Sequence, residues 1–216
     1  MRMRKKKNGA ARIAACADLL IQSPEENLFK SPQSVFSKER PLCLEIGCGK
    51  GDFITGMSIA NKDLNFIAME KVPDVACLAL EKAKRTEDMR ENNLKFIIGD
   101  AKNLTEYLPM HCLDRIYINF CDPWPKKGHE KRRLTYKDFL QIYKNLLTPG
   151  GMLYFKTDNE ELFDYSLASF EEFGLIIEWL TRNLHESEKN EYNIMTEYER
   201  NFSQKGFKIC SAWVRF

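Results

Sequence analysis

The stretch Leu42-Cys-Leu-Glu-Ile-Gly-Cys-Gly-Lys-Gly51, followed by Asp52-Phe53-Ile54, decides the fold. Leu42–Ile46 reads as a buried strand. Glycines at 47, 49 and 51 then let the backbone turn tightly and approach a ligand closely. A helix is expected near Asp52–Ala60. Strand, glycine turn and helix form the opening unit of a parallel α/β sheet. The spacing is G-x-G-x-G, with Asp52 where the dinucleotide fingerprint needs its third glycine. A pyrophosphate prefers a bare helix N-terminus. Glu45 and Asp52 would repel it, and they suit a cationic ligand such as a sulfonium carrying an α-amino group. A tight turn with no ligand is the plainer reading of the loop alone.

The same rhythm continues outward. Strands are expected at Leu64–Glu70, Leu94–Asp100, Arg115–Phe120, Gly151–Lys156, Leu175–Thr181 and Phe207–Phe216. Helices are expected near Pro73–Glu87, Leu104–Leu108, Thr135–Leu147 and Glu160–Phe173, the third stopped by Pro149-Gly150-Gly151. Residues 182–206 are polar without a clear period and read as a long functional loop region. Glu70 closes the second strand, where a carboxylate can accept from both ribose hydroxyls. Asp100 ends the third and can accept from an adenine amino group. Glu45, Glu70 and Asp100 at successive strand ends place a nucleoside at the carboxyl edge of the sheet.

Charge is unevenly spread. Residues 1–12 carry six basic groups, and residues 126–133 carry net +4, leaving −8 elsewhere against an overall +2. Two basic patches on an acidic body point to a polyanionic partner, although either run alone could be a solvated surface. Residues 1–40 read as a basic arm with a short helix, and residues 41–216 as a single domain. The apolar part of the opening segment is broken by Arg12 and Asp18, which argues against a signal peptide. No apolar run approaches the roughly 20 residues that span a bilayer. Seven cysteines without a C-x-x-C, and three scattered histidines, suit a reduced cytoplasmic protein with no metal.

The fourth strand runs into Asn119-Phe-Cys-Asp-Pro-Trp-Pro-Lys-Lys127. Two prolines stiffen this loop. Asp122 stands beside the expected nucleoside, and Trp124 offers packing or stacking. Lys126–Arg133 follows at once, so a carboxylate meets a base edge while cations hold the backbone. Asp158 could cap the following helix, and Thr196 with Glu199 has the spacing of a capping box.

Taken together, EIGCGKG, the Glu70 strand end, NFCDPWPKKGHEKRRLT, FKTDN at Phe155–Asn159 and IMTEYE at Ile194–Glu199 resemble the bacterial tRNA (guanine-N7)-methyltransferase family. The resemblance extends from about residue 41 to 200, in order. It implies a Rossmann-like class I S-adenosylmethionine-dependent methyltransferase fold, with a mostly parallel seven-stranded sheet and helices on both faces. It also implies methyl transfer to N7 of guanine 46 in tRNA, with S-adenosylhomocysteine as product. Carried over residue by residue, Glu45, Gly47, Gly49, Gly51, Glu70, Asp100 and Asp122 match cofactor-binding positions. Asp122 also matches the catalytic residue. Lys126, Asp158, Thr196, Glu197, Tyr198 and Glu199 match substrate contacts, and Gly128, His129, Glu130, Lys131, Arg132 and Arg133 the RNA-contacting run. Gly128 departs from the family, which usually carries Arg or another side chain there. A monomeric or homodimeric cytoplasmic enzyme, with no membrane or metal partner, is expected. The alternatives are methylation of another RNA base, because DPWP distantly resembles the DPPY/NPPY loop of adenine amino-group methyltransferases, and a non-catalytic RNA-binding relative.

Overall fold

Short apolar runs become strands and the amphipathic segments between them become helices. The structure, a computed structural model, describes residues 7–86 and 92–216. The strands are β1 (Leu42–Ile46), β2 (Asn65–Glu70), β3 (Leu94–Ile98), β4 (Leu113–Asn119), β5 (Leu147–Thr157), β6 (Ile176–Thr181) and β7 (Cys210–Arg215). They form one sheet in the order β3-β2-β1-β4-β5-β7-β6. The first five are parallel, and β7 runs antiparallel to both β5 and β6. The winding direction reverses between β1 and β4, which opens a crevice at their carboxyl ends.

Helices lie on both faces. On one face α3 (Asp52–Ala60) and α4 (Pro73–Arg85) bury Phe53, Ile54, Leu80 and Ala83 against Cys43, Phe66 and Phe96. On the other, α5 (Leu104–Tyr107), α6 (Lys137–Leu146) and α7 (Glu160–Glu172) bury Leu104, Phe139, Tyr143 and Phe163 against Leu44, Ile67, Ile116 and Phe155. The strands therefore carry apolar side chains on both faces, as a sheet covered on both sides requires. Two shorter helices, α1 (Gly9–Ala14) and α2 (Pro24–Asn27), precede the sheet.

The short N-terminal helix forms as α1. Arg12 ties it to α4 by a two-pronged ion pair with Glu81, both contacts at 2.7 Å. The chain then runs along the free edge of β3, where Ile21 N donates to Phe96 O and Phe96 N donates to Leu19 O. This covers a strand edge that would otherwise be exposed. The basic residues Arg2, Arg4, Lys5 and Lys6 lie outside the described residues, as does Glu87 at the expected end of α4.

Two expectations need correction. The helix expected to run to Leu147 ends at Leu146, and β5 begins at Leu147 with an irregular register opposite Leu113 and Arg115. Residues 182–206 are not a loop. They hold 3₁₀ turns at Leu184–Glu186 and Glu188–Tyr192 and then α8 (Glu197–Ser203). Polar sequence hid this helix because its burial rests on one charged residue rather than an apolar stripe. All seven cysteines are free. Among the described residues, no helix is long and apolar enough to cross a membrane, and no group of three or more His, Cys, Asp or Glu side chains gathers as a metal site.

Candidate active site

The glycine loop adopts the conformation its residues permit. Gly47, Gly49 and Gly51 all have positive φ, at 77°, 57° and 80°. The amides of Gly47 and Cys48 both donate to Met69 O, at 2.8 and 2.9 Å. Gly51 packs so closely on α4 that an added Cβ would lie 2.9 Å from Ala79 Cβ. At Gly47 and Gly49 the same Cβ would meet nothing within 4 Å. Those two glycines face a cavity of about 340 Å³, bounded also by Glu45, Asn119, Phe120 and the first turn of α8.

Glu70 braces the loop from β2. Its Oε2 accepts from Gly49 N at 3.1 Å and its Oε1 from Val72 N at 2.9 Å. Each oxygen keeps a second acceptor site. Asp100 accepts from Lys71 Nζ at 2.6 Å and from Lys102 N at 3.1 Å. Burial pushes its pKa up, but these contacts more than offset it and hold the carboxyl below its ordinary value.

Glu45 is the most unusual group in the cavity. It is 1% exposed. Its Oε1 accepts from Asn119 Nδ2 at 2.9 Å, while its buried Oε2 has no partner. Burial raises its pKa to about 7, against the lowering effects of Asn119 and Lys156. A buried carboxylate oxygen left unmatched in this way is costly unless a ligand supplies the donor.

Behind Asn119 lies a second buried cluster. Lys156 Nζ donates to Glu199 Oε2, Asn193 Oδ1 and Ile194 O, at 2.8, 2.8 and 3.3 Å. Glu199 Oε1 also meets His185 Nε2 at 2.8 Å and accepts from Asn193 Nδ2 at 2.7 Å. Burial alone would raise the pKa of Glu199; Lys156, Asn193 and His185 hold it below its ordinary value. The capping box forms, with Glu199 N donating to Thr196 Oγ1 at 2.8 Å. Glu199, matched to a substrate contact, is instead fully buried, with both oxygens engaged inside the protein. Its neighbours on α8 do face the cavity. Lys50 on the glycine loop pairs with Glu197 at 2.8 Å, and Tyr198 donates to Asp158 at 3.1 Å. The helix cap expected of Asp158 belongs to Asn159, which accepts from Leu162 N at 2.7 Å.

The loop after β4 is stiff and braced. Phe120 and Trp124 hold left-handed φ values of 53° and 43°. Phe120 N donates to Lys156 O at 2.8 Å, and the Phe120 ring lies 5.1 Å from Tyr198. Arg133 turns inward, donating to Pro123 O and Trp124 O and stacking 4.1 Å over Tyr165. It supports the loop rather than facing outward with the rest of the basic run. Arg132 lies 4.8 Å over the Trp124 ring, and His129 meets that ring edge-on at 5.6 Å. Lys126, Lys127 and Lys131 are exposed beside Gly128, and Glu130 bonds Tyr165. Asp122 is exposed and pairs with no cation among the described residues. It stands outside the cavity lining, so Asn119 and Phe120 supply the wall expected of it.

Comparison with known proteins sets this geometry in a family. Residues 39–212 match the family described as "Putative methyltransferase". The whole chain aligns with two proteins named tRNA (guanine-N(7)-)-methyltransferase. One is from Geobacillus sp. (strain WCH70), 43% identical over 96% of that protein. The other is from Streptococcus mutans serotype c (strain ATCC 700610 / UA159), 44% identical over its full length. The chain belongs to the tRNA (guanine-N(7)-)-methyltransferase family. Its fold is that of class I methyltransferases. A solved SAM dependent methyltransferase from Aquifex aeolicus, 16% identical, superposes with a TM-score of 0.55 over 97% of this chain and 99% of that one.

S-adenosylmethionine, the methyl donor of class I enzymes, fits the residues present. Its sulfonium and ammonium charges suit a cavity whose orphan buried oxygen belongs to Glu45. Gly47 and Gly49 leave open the space that a Cβ would occupy. Asn119, Lys156, His185 and Asn193 are not among the residues expected at the site, although the first two lie inside the motifs NFCDPWPKK and FKTDN. A buried lysine in an apolar strand was the available signal.

Two outcomes follow from these charges. Glu45 must ionise to receive a cationic ligand, and its raised pKa means that protons compete below about pH 7. Calorimetric affinity for S-adenosylmethionine should rise as pH increases through about 7 and then level off. Glu45→Gln should abolish that slope; a wild-type affinity constant from about pH 5.5 to 8.5 contradicts the assignment. In the second cluster, Glu199→Leu strands a buried lysine and should cost about 3–5 kcal/mol in chemical denaturation. The paired change Lys156→Met with Glu199→Leu should cost clearly less, and a loss equal to the sum of the two single changes would show that the two charges are independent.

Proposed function

We propose that this protein transfers the methyl group of S-adenosylmethionine to N7 of guanine in tRNA, and that the acceptor is guanine 46. The observation that carries the proposal is the orphan Glu45 carboxylate oxygen in a glycine-cradled cavity. That cavity is walled by α8 and opens beside a strained loop leading into exposed cations. When bound, S-adenosylmethionine supplies an electrophilic methyl on a sulfonium centre. Glu45 would face the positive end of that ligand, Gly47 and Gly49 would let it lie against the backbone, Glu70 would take the ribose hydroxyls and Asp100 the adenine amino group.

Guanine N7 has an in-plane lone pair and no proton at neutral pH. Its lone pair forms the new N–CH₃ bond as the S–CH₃ pair returns to sulfur, so no general base is required. The base becomes cationic. The protein's task is alignment and charge stabilisation. Asp122, projecting from the loop that Arg133 braces, accepts from the guanine N1–H and N2–H₂ edge and offsets the developing charge. Asp158 and Tyr198, hydrogen-bonded to each other, form the opposite wall. Lys126, Lys127, Lys131 and Arg132 hold phosphates. The position of the acceptor at 46 rests on the motif resemblance, above all NFCDPWPKK and MTEYE.

Removing the acceptor charge tests the assignment. Asp122→Asn should lower single-turnover methylation of tRNA by on the order of 10²–10³-fold. Its affinity for S-adenosylmethionine should stay near wild type, because Asp122 lies outside the cavity lining. Near-normal turnover would remove Asp122 from the chemistry.

A further inference from the structure

A second cavity, of about 480 Å³, opens on the α3 face of the sheet. Its floor is an aromatic row laid out by strand register. Tyr117 on β4 pairs with Tyr154 on β5, which pairs with Trp213 on β7. The two tyrosine rings are stacked at 5.0 Å and 22°, and Trp213 meets Tyr154 edge-on at 5.3 Å. Phe53 closes one end, 5.2 Å from Tyr117, and Trp179 continues the row beyond Trp213 at 5.3 Å. The helices of this face, α3 and α4, pack on β2 and β3, so the row on β5 and β7 lies beyond them. The segment around Tyr192–Ile194 forms the far wall.

Three cations line the cavity, and two of them have no carboxylate partner among the described residues. Arg115 projects from β4, and Lys189 sits 5.0 Å over Trp213 and 5.7 Å over Tyr192. One acid, Glu191, also lines the space, and it is hydrogen-bonded to the Tyr192 hydroxyl. Lys156 reaches the wall with its charge already matched by Glu199. Asn119 lines this cavity and the cofactor cavity alike, so the two lie side by side.

Rings on an open sheet face with unmatched cations beside them suit a flat, π-faced, anionic ligand. An aliphatic ligand would leave the cations without a role, and a simple anion would leave the rings without one. Bases stacked on a sheet's aromatic side chains, with phosphates on neighbouring cations, satisfy both. An enzyme that acts on a base must take it out of its stack, which leaves a neighbouring nucleotide without its partner. We propose that this cavity holds a second, unpaired nucleobase of the tRNA substrate, stacked on Tyr154 and Trp213 with its phosphate beside Arg115 and Lys189. The inference rests on the tRNA methylation proposed above.

Photo-crosslinking tests it directly. Wild-type protein is irradiated with unmodified tRNA carrying 4-thiouridine, and the adducts are mapped by peptide sequencing. Adducts on the peptides containing Tyr154 or Trp213 support the pocket; adducts confined to residues 122–133 overturn it. In parallel, Trp213→Leu should weaken tRNA binding about tenfold, the scale of one lost stacking contact. Lys189→Ala, a change outside the strands of the sheet, should flatten the salt dependence of binding by about 0.7 log units. Unchanged affinity and slope in both variants overturn the proposal. So does a dimer-to-monomer change in Trp213→Leu with tRNA affinity intact, which would make a second copy of the chain the occupant. The two readings fail separately. No 7-methylguanine from the wild-type protein overturns the reaction, whereas 7-methylguanine formed without adducts on this floor overturns the pocket.

Discussion

The site depends on one buried ion pair, Lys156 with Glu199. Both side chains are withdrawn from water, at 7% and 0% exposure, and a buried charge survives only where its partner and further hydrogen bonds replace the lost solvent. Lys156 meets that demand with three acceptors, and Glu199 answers with His185, Asn193 and its own helix cap. The consequence is geometric. The backbone oxygen of the same Lys156 receives Phe120 N, so one residue holds both the loop after β4 and the start of α8. Phe120 sits in a left-handed conformation that costs about 1–3 kcal/mol for an ordinary residue. It is kept there by that bond and by Tyr198 packed on its ring.

With α8 anchored, the remaining contacts fall into place around the cavity. Glu197 crosses to Lys50 on the glycine loop, and Arg200 reaches Asp52 at 3.3 Å. Tyr198 reaches Asp158. The cavity is thus closed on one side by residues nearly 150 positions away in sequence from its floor. Its electrostatics divide cleanly. The inside holds a carboxylate short of a partner, and the loop that leaves the cavity wall at Phe120 runs on into the exposed Lys126, Lys127 and Lys131. That division matches a cationic small molecule within and a polyanion without.

Much of this architecture can be read from local sequence. The strand, G-x-G-x-G turn and helix at Leu42–Ala60 are consecutive residues obeying local rules, and the remaining strands announce themselves as apolar runs. The capping box at Thr196–Glu199 is equally local, and it forms. What Glu199 does is not local. Its partners Lys156 and His185 lie 43 and 14 residues away, and only the folded sheet brings them together. Arg133 reads as one more cation of a basic run, yet its fork closes back on carbonyls nine and ten residues earlier. The aromatic row escapes sequence reading for the same reason. Tyr117, Tyr154 and Trp213 each look like ordinary strand residues until the register aligns them on a face that the helices leave open.

The central claim is that the Glu45 cavity and the Asp122 loop together deliver a methyl group to guanine N7. The most direct measurement is incubation of the protein with methyl-labelled S-adenosylmethionine and unmodified tRNA, followed by chemical cleavage at 7-methylguanine. The account predicts label in the RNA and one cleavage site, at guanine 46. Label carried by any other base or atom, with no cleavage, would contradict it.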